Sequence, residues 1–469
     1  VVRVSRINQF LLVMPPRHVY STMWKYSVVI KMQDYFRELS EKIFSLLNTD
    51  EVLLLNFEGE QSDFVRANKN QIRQAGNVAQ QHLMMTLISR QRQAEASIDL
   101  SVDLDADIKV AEETIKQLRE QLPFLPEDPY LNYATEIHNT NHVAENNLPT
   151  ADAALQEIIV TASGLDLVGL WASGEISRGF ANSMGQFNWH VNYNFNFDWS
   201  IYSKQDKAIK QNYAGFQWNS DYLQEKIKYA RQTLPLLATP PRTISPGHYR
   251  VFISPSAMQE LTNLLSWGGF GLKSHRTAQT PFIKMIEEDK TLNQNVSFIE
   301  NHHAGLTPPF TGAGFIKPEQ VTLISDGVFK ECLANSRSAK EYSSSVNCSI
   351  EHPQSLEISG GDLHQDQILS DLDTGIFISN LWYTNYSDRN NCRITGMTRF
   401  ASLWVESGIP VAPLNVMRFD ESIYHIFGDK LITLTQEHEH IFDSSSYSQR
   451  SQSSSRLPGA LVDDFRLTL

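Results

Sequence analysis

Apolar residues recur at three- and four-residue spacing from Met32 to Leu47, with Phe36, Leu39, Ile43, Leu46 and Leu47 on one stripe, which predicts a core-facing helix. The short apolar run Val52 to Phe57, a turn at Gly59, and segments around Phe64, Ile72 and Ala79 to Ile88 predict successive strands of a small antiparallel sheet. Helical spacing returns between Asp107 and Leu122 through Ile108, Ala111, Ile115 and Leu118, and stops before Pro123. Thr150 is placed to cap a further helix. Leu165 to Trp171 and Trp189 to Tyr202 read as strands, and Ser220 as the cap of a helix reaching about Leu234.

Four prolines (Pro235, Pro240, Pro241, Pro246) then fall within thirteen residues, a density that neither a helix nor a central strand crosses easily. This places a junction at 235–248 between an N-terminal α/β domain, 32–234, and a β-rich C-terminal domain, 249–469. Beyond the junction, Tyr249 to Ile253 predicts a strand. Ser254-Pro255 opens a helix that ends at Gly268-Gly269. Ile376 to Thr384, Arg393 to Glu406 and Val411 to Phe419 are strand-rich, with Ser407-Gly408 as the turn between the last two. Residues 444–455 hold eight serines in twelve positions, too polar to order themselves, so a mobile loop is expected before a final strand through Phe465, Leu467 and Leu469.

With 469 residues the chain is long enough for two or three domains with real cores. Its 40 Lys and Arg against 53 Asp and Glu give a net charge of −13, which argues against nucleic acid as a partner because phosphate binding draws on clustered cations. The three cysteines, Cys332, Cys348 and Cys392, include no C-x-x-C pair, so neither a disulfide framework nor a thiolate zinc site is legible and a reducing cytoplasm is expected. No apolar run is long enough to span a membrane. The amphipathic pattern starts at Met32, so residues 1–31 are expected to be a non-native or disordered leader.

Motifs of nucleotide hydrolysis and of the nucleophile elbow are absent. His138 and His142 have the spacing of a helical metal pair, yet they lie in an Asn-rich stretch that reads as a surface loop. His302-His303 also reads as a loop. His438 and His440, taken as near the end of a helix, would point about 200° apart. From Trp189 to Trp199 the alternation puts the aromatics on one face and His190, Asn192, Asn194, Asn196 and Asp198 on the other, suited to solvent or to a groove that hydrogen-bonds another chain. In Arg393-Ile394-Thr395-Gly396-Met397-Thr398-Arg399, the glycine permits close backbone approach and the two arginines could hold a carboxylate.

Several of these strings resemble the TldD/TldE (PmbA) family of metallopeptidase subunits. They include Ser62-Asp63-Phe64-Val65-Arg66, Ile72-Arg73-Gln74-Ala75-Gly76 and Gly179-Phe180-Ala181-Asn182-Ser183-Met184-Gly185. In the second half the likeness is more specific, through Ser266-Trp267-Gly268-Gly269-Phe270, Ser359-Gly360-Gly361-Asp362-Leu363, and Trp382-Tyr383 with Thr395-Gly396-Met397-Thr398-Arg399. The resemblance implies an α+β fold, with an N-terminal α/β domain followed by a β-rich C-terminal domain. It also implies a pair in which a TldD subunit carries zinc on an H-E-x-x-x-H helix completed by a late cysteine, while TldE lacks the metal. Such a pair degrades small or unfolded peptides and removes leaders from modified peptides, and the family has an older association with DNA gyrase.

Here the corresponding helix, Ser254 to Trp267, contains no histidine, and no cysteine follows Cys392. The resemblance therefore implies a TldE-like subunit with no catalytic or metal residues of its own, zinc being expected in a TldD-type partner. The expected assembly is a heterodimer with that partner, or a homodimer. Asn192, Asn194, Arg393, Gly396 and Arg399 are the expected peptide contacts. Two alternatives stay open: a stand-alone, metal-independent hydrolase using Ser274-His275 or Cys392, and a peptide-binding module without turnover.

Overall fold

The computed structural model describes residues 31–203 and 207–469, so the expected leader lies outside the described residues except for Lys31. The fold is α+β, an N-terminal α/β region followed by a β-rich part. Its first sheet contains β1 (Glu51–Asn68), β2 (Gln71–Ser89), β3 (Arg92–Asp99), β4 (Thr140–Val143), β5 (Asp166–Asn182), β6 (Phe187–Tyr202) and β7 (Ala208–Gly215). The order is β3-β2-β1-β5-β6-β4 with β7 also on β6, and all pairings are antiparallel except β4 with β6.

The two-residue period decides what covers each face. Odd-numbered residues of β6 pack under helices: Trp189 and Val191 under α1 (Met32–Phe44) and α2 (Leu104–Gln121), and Phe195 to Ile201 under α3 (Ala151–Thr161) and α4 (Ser220–Leu237). Phe36, wholly buried between Phe57 and Trp189, contributes about 1.5–3 kcal/mol by burial. It fits because Gly179 lies beneath it; a Cβ there would come within 2.6 Å of its ring. The even-numbered residues His190, Asn192, Asn194 and Asn196 are buried too, against the C-terminal half of the same chain.

The second sheet begins with β8 (Gly247–Ile253), β9 (Phe298–Asn301), β10 (Gln320–Ser325), β11 (Val328–Phe329), β12 (Ser355–Ile358), β13 (Gly375–Ile378) and β14 (Asn380–Asp388). It continues with β15 (Arg393–Arg399), β16 (Leu403–Glu406), β17 (Ile409–Pro413), β18 (Arg418–Ser422), β19 (Leu431–Phe442) and β20 (Ser454–Leu467). Its main path is β11-β10-β9-β12-β20-β8-β13-β16-β17, with β19 and β18 also on β20. Helix α5 (Pro255–Ser266) packs on it through Ala257, Met258, Leu261, Leu264 and Leu265.

Several elements differ from their sequence reading. Gly59 is not a turn but the middle of β1, where Ser177 Oγ lies 2.4 Å from the position a Cβ would take; the chain reverses at Lys69-Asn70, both with positive φ. Pro235 sits in the last turn of α4, whose cap is Asn219. The stretch 393–406 is broken at Phe400, φ 55°, into β15 and β16, while Ser407-Gly408 is the expected tight turn. The serine tract divides: residues 444–448 form an exposed loop, whereas Arg450 is buried and Ser454 and Ser455 already belong to β20, a strand inside the sheet.

Candidate functional site

Helix α5 is capped by Ser254, whose side chain accepts from the Ala257 N–H at 3.3 Å, and starts on Pro255, which needs no donor there. With its apolar face on the sheet, the opposite face presents Ser256, Gln259, Glu260, Asn263 and Ser266 to a cleft of about 550 Å³. The opposing wall comes from the first sheet, with Asp198, Lys210, Gln211 and Asn212, and from the two ends of the serine tract, with Asp443, Ser444 and Ser453 to Ser455. Trp267, 69% exposed, stands at the helix exit, where Gly268 takes φ 78° and a Cβ on Gly269 would lie 2.1 Å from the Leu265 carbonyl.

The chemistry of this wall is amide and carboxylate. Gln259 donates to Asn263 Oδ1 at 2.6 Å, Asn212 donates to Asn196 Oδ1 at 2.7 Å, and Lys210 pairs with Asp198. Burial raises the Glu260 carboxyl, with Lys210 pulling the other way. Burial disfavours the charged form of His352, the cleft's one imidazole. Zinc takes imidazole, thiolate and carboxylate ligands, three or four brought together on one ion, and the cleft offers one imidazole with carboxylates that are not grouped that way. Among the described residues no group of three His, Cys, Asp or Glu is placed to hold a metal ion.

Arg450 anchors the wall contributed by the serine tract. Its guanidinium donates to Ser62 Oγ (2.9 Å), Asn194 Oδ1 (2.8 Å) and the Gly174 carbonyl (3.1 Å), and lies 3.5 Å from Glu60, which also accepts the Arg450 backbone N–H at 3.1 Å. Burial pulls Arg450 down to about 10 while Glu60 opposes it. Sequence reading missed this residue. Its only trace there is a lone arginine amid serines.

The expected peptide contacts fall elsewhere. Asn192 donates to the Leu306 carbonyl at 2.9 Å and Asn194 to Asn192 Oδ1 at 2.6 Å, so both amides are used inside the molecule rather than in an open groove. Arg393 is bound to Asp420, and Arg399 lies 3.8 Å over the Trp382 ring. Gly396 is on the opposite, buried face of β15 from those arginines, and a Cβ there would come within 2.7 Å of Phe419. Its role is packing, and none of the five residues lines the α5 cleft.

The alternative nucleophiles are equally occupied. Cys392 is wholly buried, and desolvation pushes its thiol far above the usual range. His275 bonds the Gly269 carbonyl at 2.7 Å and packs on Phe329, and no hydrogen bond joins it to Ser274 among the described residues. His138 pairs with Glu136 while His142 stacks on His190. His302 is held by the Pro318 carbonyl at 2.8 Å. His438 and His440 lie on strand β19, not a helix, so they share a face; His438 is taken by the Ile358 carbonyl at 2.9 Å. A second cleft, about 470 Å³, includes Glu58, Asp128, Arg178 and Arg337, but Arg337 pairs with Asp128 and Gln449 bridges Arg178 to Glu58.

Residues 246–469 match the family described as the PmbA/TldA metallopeptidase C-terminal domain. In fold the chain is similar to TldE from Thermococcus kodakarensis, with a TM-score of 0.74 at 14% identity, covering 93% of this chain and 100% of that one. It is similar to a proposed modulator of DNA gyrase from Thermotoga maritima, TM-score 0.70 at 14% identity over 92% of this chain and 100% of that one. Another proposed gyrase modulator, from Bacteroides thetaiotaomicron, gives 0.70 at 13% identity over 94% and 100%. No curated protein sequence matches the chain.

Proposed function

We propose that this chain, which belongs to the TldD/TldE (PmbA) family, is a TldE-like, non-catalytic subunit that works with a zinc-bearing, TldD-type partner on small or unfolded peptides. The observation that carries the reading is the face of α5. A helix that would have to supply imidazoles to bind zinc and activate a water instead turns Gln259, Glu260 and Asn263 into its cleft. The two amides neither bind zinc well nor take a proton near neutral pH, and the lone Glu260 carboxylate does not make a zinc site, so this reading gives hydrolysis to the partner. Keeping the cleft, walled in part by the two ends of the serine tract that Arg450 anchors, suits a subunit that still guides extended chains. The cytoplasm is the compartment we assign, in keeping with cysteines that are all free.

The test is a peptidase assay on unfolded peptides with the chain alone, the partner alone and the two together. The pair should exceed the partner by at least about tenfold, and chelator should abolish its activity. The isolated chain should be inert. Cleavage by the isolated chain in chelator, or a pair no faster than the partner, would overturn the proposal.

A further inference from the structure

Strand β2 has neighbours on both sides only from His82 to Ser89, where β3 lies beside it. From Gln71 to Gln80 it pairs with β1 alone, and its other edge is exposed. The Gln81 carbonyl accepts the Leu100 N–H at 2.9 Å on that outer side. The residues alternating with it, Ala79, Asn77 and Ala75, therefore aim their N–H and C=O groups outward, where no described residue meets them. Sheets normally defend such an edge with charge, proline or brevity. Here β3 carries Arg92, Glu95 and Asp99, β17 carries Pro410 and Pro413, and β11 is two residues long. Gln71 to Gln80 has no proline and a single charge, Arg73.

The face beside this edge is a groove of about 370 Å³, lined by Gln74, Gly76, Val78 and Gln80 of β2 and by Phe64 and Arg66 of β1. One end is closed where Gln80 donates to the Ser448 carbonyl at 2.7 Å. Gly76 lies opposite Phe64, and a Cβ on it would meet nothing within 4 Å, so a side chain from an added strand can cross Gly76 and lie on the half-buried Phe64 ring. Arg66 lies opposite Gln74, two residues along on the same face. It is exposed and has no ion pair or hydrogen bond among the described residues. The groove's carboxylate, Glu60, is already held by Arg450.

We propose that an extended peptide adds to the first sheet along Ala75 to Ala79 as a further strand, with an apolar side chain over Gly76 and a carboxylate two positions away on Arg66. The main chain supplies the hydrogen bonds and the two side chains set the preference. A second copy of this edge fits less well, since Gln71 to Gln80 offers no carboxylate to Arg66. The inference rests on the reading that this subunit handles peptides, and it places one contact outside the α5 cleft.

Titration calorimetry on the full chain tests it with threonine hexapeptides blocked at both ends. They carry leucine and glutamate two positions apart in either order, leucine and lysine likewise, or glutamate alone. A leucine–glutamate probe should bind about tenfold or more tighter than the other two kinds. Ala75→Pro, which removes an outward N–H and keeps the bonds to β1, should weaken it by about tenfold. Arg66→Gln should abolish the preference for glutamate over lysine, and Gly76→Thr, for which there is room, the preference for leucine, both with the melting temperature unchanged. Equal affinity for all probes, or a preference that survives the substitution aimed at it, overturns the inference. So does a dimer of this chain that Ala75→Pro dissolves, which would give the edge to a second copy. If no probe binds while the pair still outpaces its partner on unfolded peptides, the inference alone falls; if the pair gains nothing either, the peptide-handling reading falls with it.

Discussion

At the scale of single residues, the molecule depends on polar groups buried between its two sheets. Arg450 joins Glu60, Ser62, Asn194 and Gly174 in one network. Arg450→Ala leaves the Glu60 carboxylate buried without its cation and should cost about 3–5 kcal/mol, measured as a lower urea midpoint. A loss below about 1 kcal/mol, the size of a surface pair, would contradict the assignment. His190 is a different case: it is buried, and both ring nitrogens lack partners among the described residues. Burial lowers it to about 3, with His142, Lys317 and Arg178 adding to the effect. Between pH 3 and 6.5 the unfolded chain binds the extra proton. The stability contributed is therefore complete above pH 6.5 and falls as the pH drops, by about 2 kcal/mol at pH 5. His190→Phe should be neutral or stabilising at pH 7 and shrink the difference between pH 7 and pH 5 by that amount; an unchanged pH dependence would refute it. The alternation along β6 made the two faces of Trp189 to Trp199 legible. What the polar face met was not, because Leu306, Phe442 and Arg450 are more than a hundred residues away in sequence.

At the scale of elements, a glycine means different things in different strands. Gly59 and Gly179 lie inside strands because Ser177 and Phe36 occupy the space of a side chain, which no local pattern records. Gly179→Val should push Phe36 off the sheet and cost about 1–3 kcal/mol, read from the same urea midpoint, and a variant as stable as the parent would refute that packing. Helix α5 was legible from start to finish, since Ser254-Pro255 and Gly268-Gly269 are local signals and its apolar spacing is regular. The absence of histidine on it was equally plain. The cleft it faces was not, because Asp198 and Lys210 come from the other sheet. β19 was misread as helix because the run from Leu431 to Phe442 mixes charged and apolar residues without clean alternation, its register being shifted where it meets β20.

At the scale of the whole molecule, two sheets pack around buried amides and ion pairs, and one face of that assembly is a cleft of amides and carboxylates in which, among the described residues, no group of three is placed to hold a metal ion. Removing metal should therefore leave the isolated chain's melting temperature within error, whereas a resident zinc would lower it on chelation. The central claim, that this subunit borrows its metal from a partner, is tested most directly by a native mass spectrum of the chain purified gently, without chelators, from its own host. A heterodimer carrying one zinc that stays with the partner when the subunits are separated is the predicted result. A homodimer or monomer of this chain that itself retains zinc would contradict it.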